Sequence, residues 1–168
     1  MTQTKIKAML AHKYNEDKAD YPAFIQPKLD GVRCLFSAKG AFSRTGNQFM
    51  NVMHIEKALE PFFAKHPNMV IDGELYNHGL KDDFEKIISL VRKQKPTVQD
   101  IVEASQLTQY HIYDIASMEH ATYTDRNLFI LAESCFKNKY CIQITPTKLA
   151  TNFDDAQKYH KKNLKAGQ

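Results

Sequence analysis

Cysteine is scarce in this chain of 168 residues, and the three present, Cys34, Cys135 and Cys141, are odd in number. They lie in apolar stretches without the paired spacing of a zinc site, which excludes a disulfide framework and a structural metal and leaves buried thiols. Long hydrophobic runs are also missing. Residues 1–7 lack the apolar segment of a signal peptide, and no later stretch approaches a membrane span, so the expected address is cytoplasmic, with no membrane partner. There is no internal repeat, no low-complexity tract and no Pro/Gly-rich linker, and residues 1–168 read as a single unit. No Gly-x-x-x-x-Gly-Lys-Ser/Thr string occurs, so a P-loop is excluded as the means of holding a nucleotide. The seven histidines lack the i, i+4 pairing with a carboxylate that a zinc hydrolase shows.

What is present is a core-forming composition, 43% hydrophobic with 25% charged residues. The net charge is only +4, from 23 Lys and Arg against 19 Asp and Glu, which by itself supports nucleic-acid binding weakly. Apolar, β-prone clusters predict strands over 23–25, 32–37, 69–76, 110–116 and 141–149, with the fourth rich in Tyr and Ile and the third interrupted by Asp72-Gly73-Glu74. Helical spacing of apolar residues predicts helices over 55–64, closed by Pro67, and over 84–91 after an acidic lead. Two more are expected over 125–137 and 152–164, the last with Phe153, Ala156 and Tyr159 inward and Lys158, Lys161, Lys162 and Lys165 in solvent. The irregular alternation implies an α+β class, helices on antiparallel sheets.

Chemistry concentrates in Lys28-Leu29-Asp30-Gly31-Val32-Arg33, which packs a nucleophile, a carboxylate and a guanidinium around a glycine that lets backbone approach a ligand. A lysine is mostly protonated at neutral pH and needs neighbouring cations or desolvation to act as a nucleophile. Arg33 offers a planar fork to phosphate or ribose oxygens, and Lys28 is compact enough to approach phosphorus in line. Alone, such a string reads as a turn with a surface salt bridge, Ser43-Arg44 as a hairpin edge, Asp72-Gly73-Glu74 as a turn, and Tyr113 as a core aromatic.

Taken in order, however, the strings 28–33, Phe42-Ser43-Arg44-Thr45-Gly46-Asn47, Val70-Ile71-Asp72-Gly73-Glu74-Leu75 and His111-Ile112-Tyr113-Asp114-Ile115 resemble successive motifs of the ATP-dependent DNA ligases, members of the covalent nucleotidyltransferase superfamily. The resemblance implies an ATP-grasp-like nucleotidyltransferase domain and a lysine-AMP intermediate on Lys28. It also implies that Gln26 reads the adenine edge, that Arg33 and Arg44 lie near the nucleotide, and that Ser43 and Arg44 lie near nucleic-acid phosphates. Glu74 would sit beside the ribose and is a possible metal ligand; Tyr113 would stack on adenine, with Asp114 helping to hold the site. ATP with Mg²⁺, or Mn²⁺ as the other hard divalent ion, and nicked double-stranded DNA are the implied cofactors and partner. Roles in DNA replication, repair or recombination would follow.

The family pattern continues with a Glu-Gly motif, a paired-lysine motif and an oligonucleotide-binding barrel, whereas this sequence ends at Lys165-Ala166-Gly167-Gln168. The expectation is therefore a domain incomplete at its C-terminus and poorly active alone, for which a second chain could supply the missing cations. An mRNA-capping guanylyltransferase, an RNA ligase and an inactive nucleotide- or DNA-binding module remain alternatives.

Overall fold

The computed structural model describes residues 9, 10, 13–15 and 18–167, so the stretch read for a leader and the terminal Gln168 lie outside the described residues. Among the described residues there are seven strands: β1 (Ala23–Ile25), β2 (Val32–Ser37), β3 (Gly40–Phe42), β4 (Val70–Tyr76), β5 (Gln109–Ile115), β6 (Ile142–Ile144) and β7 (Lys148–Ala150). Five form one sheet in the order β3-β2-β4-β5-β6, and β1 pairs with β7 in a second. The antiparallel expectation holds for every pair except β5 and β6, which run parallel. That exception follows from the connection between them, which is long enough to carry a helix and so allows a crossover.

Among the described residues five α-helices flank the sheets: α1 (Met53–Lys65), α2 (Phe84–Val91), α3 (Val98–Leu107), α4 (Tyr123–Ala132) and α5 (Phe153–Ala166). Of the residues at helical spacing, the first buries Ile55, Leu59 and Phe62 and half-buries Ala58 and Phe63, and it stops at His66, just before Pro67. On α5, Phe153, Ala156 and Tyr159 are half-buried and the four lysines exposed, as the pattern implies.

The sequence pattern predicts neither β3 nor α3, and three of the segments it does predict differ from expectation. The 141–149 segment is two strands in two different sheets, because Pro146, which cannot donate to a ladder, separates them. The helix expected over 125–137 begins earlier, at a Thr122/Asp125 capping box, and ends at Glu133, whose carboxylate accepts from Cys135 N and binds Lys65 and His66. Asp72-Gly73-Glu74 does not interrupt β4, which runs through unbroken. It can do so because Gly73 lies where a Cβ would come within 2.5 Å of the His111 carbonyl and 2.7 Å of the Tyr110 ring.

The core lies on the face of the sheet covered by α1 and α2, built from Cys34, Phe36, Ile71, Leu75, Tyr110 and Ile112. Tyr110 ties three strands together there, its buried hydroxyl lying 3.0 Å from the Cys34 carbonyl and 3.1 Å from that of Ile71. Because side chains alternate along a strand, the residues between these core positions point to the opposite face. That face carries Arg33, Asp72, Glu74 and Tyr113.

Candidate active site

Register sets the first part of the site. Arg33 on β2 stands opposite Glu74 on β4, and Leu35 opposite Asp72. The Arg33 guanidinium reaches diagonally to Asp72 and grips both its oxygens along one edge, Nε to Oδ1 at 3.0 Å and Nη2 to Oδ2 at 2.5 Å. Its remaining nitrogen, Nη1, donates to the Met9 carbonyl at 2.6 Å. The Asp72 side chain is only 4% exposed, so this fork is the partner that makes a buried carboxylate tolerable. The hydrogen bond to Asp72 in turn pushes the Arg33 pKa above its already high ordinary value.

A bulge sets the second part. On β5, Asp114 pairs with Asp72 but Ile112 pairs with Gly73, so Tyr113 is an extra residue in the ladder. Consecutive strand residues should face opposite ways, yet Tyr113 and Asp114 both line the same cleft. The Tyr113 ring lies 5.9 Å from the Arg33 guanidinium carbon, and burial raises its hydroxyl pKa well above the ordinary tyrosine value. Asp114 is held by a second guanidinium fork, from Arg126 on α4, at 2.6 and 3.1 Å. Arg126 is anchored further by the Ala121 carbonyl at 2.7 Å.

Glu74 is the carboxylate without a fork. Burial raises its pKa to about 7, opposed by the positive charge of Arg33 and reinforced by the nearby Asp72. Its position depends on Gly31, where a Cβ would lie 2.4 Å from the Leu75 carbonyl and 2.8 Å from Glu74 Cγ. The glycine of the first motif therefore lets the chain entering β2 pass over the glutamate of the third. Just before it, Lys28 projects into solvent with its side chain 90% exposed, 3.7 Å from Asp30.

Gln26 closes the cleft on the side of the small sheet. Its Nε2 lies 2.7 Å from Tyr123 Oη, 3.0 Å from Thr147 Oγ1 and 3.3 Å from the Tyr113 carbonyl. Gln26, Lys28, Arg33, Glu74 and Tyr113 thus line one cleft of about 800 Å³, together with Asp72, Asp114 and Tyr123. Ser43 and Arg44 stand elsewhere, in a neighbouring groove of about 720 Å³ that also contains Arg92 and shares Arg33 with the cleft. Within that groove Ser43 Oγ shapes the turn after β3, accepting from Asn47 N at 3.0 Å. Arg44 is exposed, and among the described residues it makes no ion pair.

Sequence reasoning missed Tyr123, Arg126 and Thr147. The first two carry a readable signal, since Thr122-x-x-Asp125 is a capping box, and residues three apart in the first turn share a face. Thr147 has none, because its role depends on β7 returning to β1.

The model of the ATP dependent DNA ligase domain matches residues 8–168. The DNA ligase of Enterobacteria phage T6 is 30% identical in a match covering 58% of this chain and 24% of that protein. The phage T4 DNA ligase is 34% identical, covering 42% of this chain and 18% of its own. The chain spans about a quarter or less of the length of these curated relatives. Among solved structures, a Lig E DNA ligase superposes with a TM-score of 0.71 at 18% identity, covering 94% of this chain and 57% of that one. The Chlorella virus DNA ligase-adenylate gives 0.68 at 17%, covering 94% and 55%. At such identities the structural likeness establishes the fold, the α+β nucleotidyltransferase architecture with two sheets flanked by helices.

Proposed function

The chain belongs to the ATP-dependent DNA ligase domain family, and from that premise we propose that its cleft binds ATP and that Lys28 takes AMP from it as the first step of nick sealing. The observation that carries this reading is the convergence of Gln26, Lys28, Arg33, Glu74 and Tyr113 on one cleft, although they come from three separate stretches of sequence. Tyr113 offers a ring face for the base and Gln26 a side-chain amide for its edge. Glu74 accepts a hydrogen bond from a ribose hydroxyl. Arg33, immobilised by Asp72, keeps a fixed positive charge in the wall where the phosphates lie.

The transfer is a displacement at phosphorus. Lys28 Nζ first gives up a proton to solvent, and its lone pair then forms the N–P bond to the α-phosphorus. The bond from that phosphorus to the bridging oxygen breaks and pyrophosphate departs with the electron pair. AMP next passes to the 5′-phosphate of a nick, and the adjacent 3′-hydroxyl displaces it. The neighbouring groove suits the nicked strand, because Arg44, carried on the Ser43 turn, presents a cation to phosphate, with Arg92 in the same groove.

A divalent ion fits this cleft in one way. Among the described residues no three His, Cys, Asp or Glu side chains cluster as a metal site, and Asp72 and Asp114 are each taken by an arginine fork. Glu74 is left, and Mg²⁺ bound to a triphosphate takes only one or two protein carboxylates. Bound there, it would offset phosphate charge.

Incubation with α-labelled ATP or GTP and Mg²⁺, followed by denaturing mass analysis, tests the reading. AMP on the chain, absent from Lys28→Ala, is the expected result; an adduct that persists in Lys28→Ala refutes the assignment, and GMP in place of AMP would favour a capping activity. Because Lys28 is almost fully exposed, the substitution should change folding stability by less than about 0.5 kcal/mol, so loss of adduct cannot be put down to unfolding.

A further inference from the structure

We infer that Tyr123 and Thr147 act as positioning residues that lock the Gln26 amide in one orientation and thereby make the cleft select a 6-amino over a 6-oxo purine. The inference rests on the proposed nucleotide site and concerns residues that the motifs do not include. An amide can present either its NH₂ or its oxygen to a ligand, and a freely rotating glutamine would accept either base edge. Here the choice is fixed by backbone carbonyls, which can only accept.

Gln26 Nε2 faces three oxygens, those of Tyr123, Thr147 and the Tyr113 main chain, at 2.7, 3.0 and 3.3 Å. The Tyr123 hydroxyl donates its proton to the Tyr113 carbonyl at 3.3 Å, and the Thr147 hydroxyl donates to the Thr145 carbonyl at 3.3 Å. The two hydroxyls also lie 3.4 Å from each other, but each has a main-chain carbonyl, which can only accept, within reach, and donating there leaves its oxygen as an acceptor for Nε2. Rotating the amide would set Gln26 Oε1 against the Tyr113 carbonyl, would draw both hydroxyl protons away from their carbonyls, and would leave the NH₂ without these acceptors. The amide oxygen is therefore the atom turned away from this cluster, and among the described residues nothing donates to it.

An adenine amino group supplies that missing donor. A 6-oxo purine places a second acceptor there and leaves both oxygens unpaired in a partly desolvated cleft. Sites built to hydrogen-bond a substrate group reject an analogue that lacks it, and one unsatisfied buried group corresponds to about ten- to a hundredfold in affinity.

Tyr123→Phe removes the hydroxyl while keeping the ring that packs 5.0 Å from Phe24 and 5.4 Å from the Arg126 guanidinium, and Thr147→Val keeps the shape of the threonine. The test measures equilibrium binding of ATP and of inosine triphosphate, which carries a 6-oxo group in place of the amine, to the wild-type chain and to the Tyr123→Phe/Thr147→Val variant. Circular dichroism checks the fold of each, and the single variants serve if the double one does not fold. The expected result is a wild-type preference for ATP that narrows by about tenfold or more in the variant, chiefly through tighter inosine triphosphate binding. A wild-type preference that survives unchanged in a folded variant overturns the lock while leaving the nucleotide site standing. Failure of the wild-type chain to bind either nucleotide overturns both.

Discussion

Replacing Arg33 with alanine removes the one cation that, among the described residues, grips Asp72, and the cost can be worked from the geometry. Both carboxylate oxygens are bound by the fork, at 3.0 and 2.5 Å, and the Asp72 side chain is almost wholly buried. Breaking a buried pair from one side leaves an uncompensated charge and costs about 3–5 kcal/mol. The Arg33 side chain is 24% exposed, so water enters the gap left behind and the lower end, about 3 kcal/mol, is expected. For a domain of this size that corresponds to a fall of about 6–12 °C in Tm. Urea unfolding followed by far-ultraviolet circular dichroism reads the loss as a lower midpoint at constant slope. In an Arg33→Ala background, Asp72→Asn should cost much less than it does alone, because the charge to be compensated has gone; the coupling between the two sites measures the pair. Arg33→Lys should recover little, since a single ammonium cannot span both oxygens. A loss below about 1 kcal/mol in Arg33→Ala, or strict additivity in the double variant, would refute the claim that this fork supports the site.

Two further outcomes are expected. The Glu74 pKa is raised by burial to about 7, so its protonated form favours folding: the contribution is fully present below pH 4.5 and is lost as pH rises through 7. Wild type should therefore lose stability relative to Glu74→Gln between pH 5 and pH 8, by about 2–3 kcal/mol in urea titrations, and a difference independent of pH would contradict the burial argument. Gly73→Ala should destabilise by about 3 kcal/mol or more, since its methyl would meet the His111 carbonyl at 2.5 Å and a fixed Tyr110 ring; wild-type thermal unfolding in that variant would mean β4 and β5 can separate at little cost.

Much of this was legible in the sequence where local pattern decides. The apolar spacing of α1 and α2 corresponds to their buried faces, and the alternation over 32–37 gives the in-out pattern of β2. The order of the motif strings fixed the family. What was not legible depends on distant parts of the chain. The α3 helix buries only Ala104 and so lacks a strong apolar stripe, though its Thr97/Asp100 capping box marks the start. Residues 141–149 look like one strand until Pro146 divides them between sheets. Within the site, Asp72 and Asp114 look alike on paper, yet each is neutralised by an arginine 39 or 12 residues away, which composition cannot pair.

The bulge at Tyr113 has a consequence for how this chain can change over time. A strand has a parity: remove one residue and every side chain beyond the cut moves to the other face. Loss of any single residue between Tyr110 and Asp114 could be absorbed only by erasing the bulge, which would restore a regular ladder while turning either Tyr113 or Asp114 away from the cleft. Substitutions along β5 can be tried one at a time, but its length is bound to the site it serves.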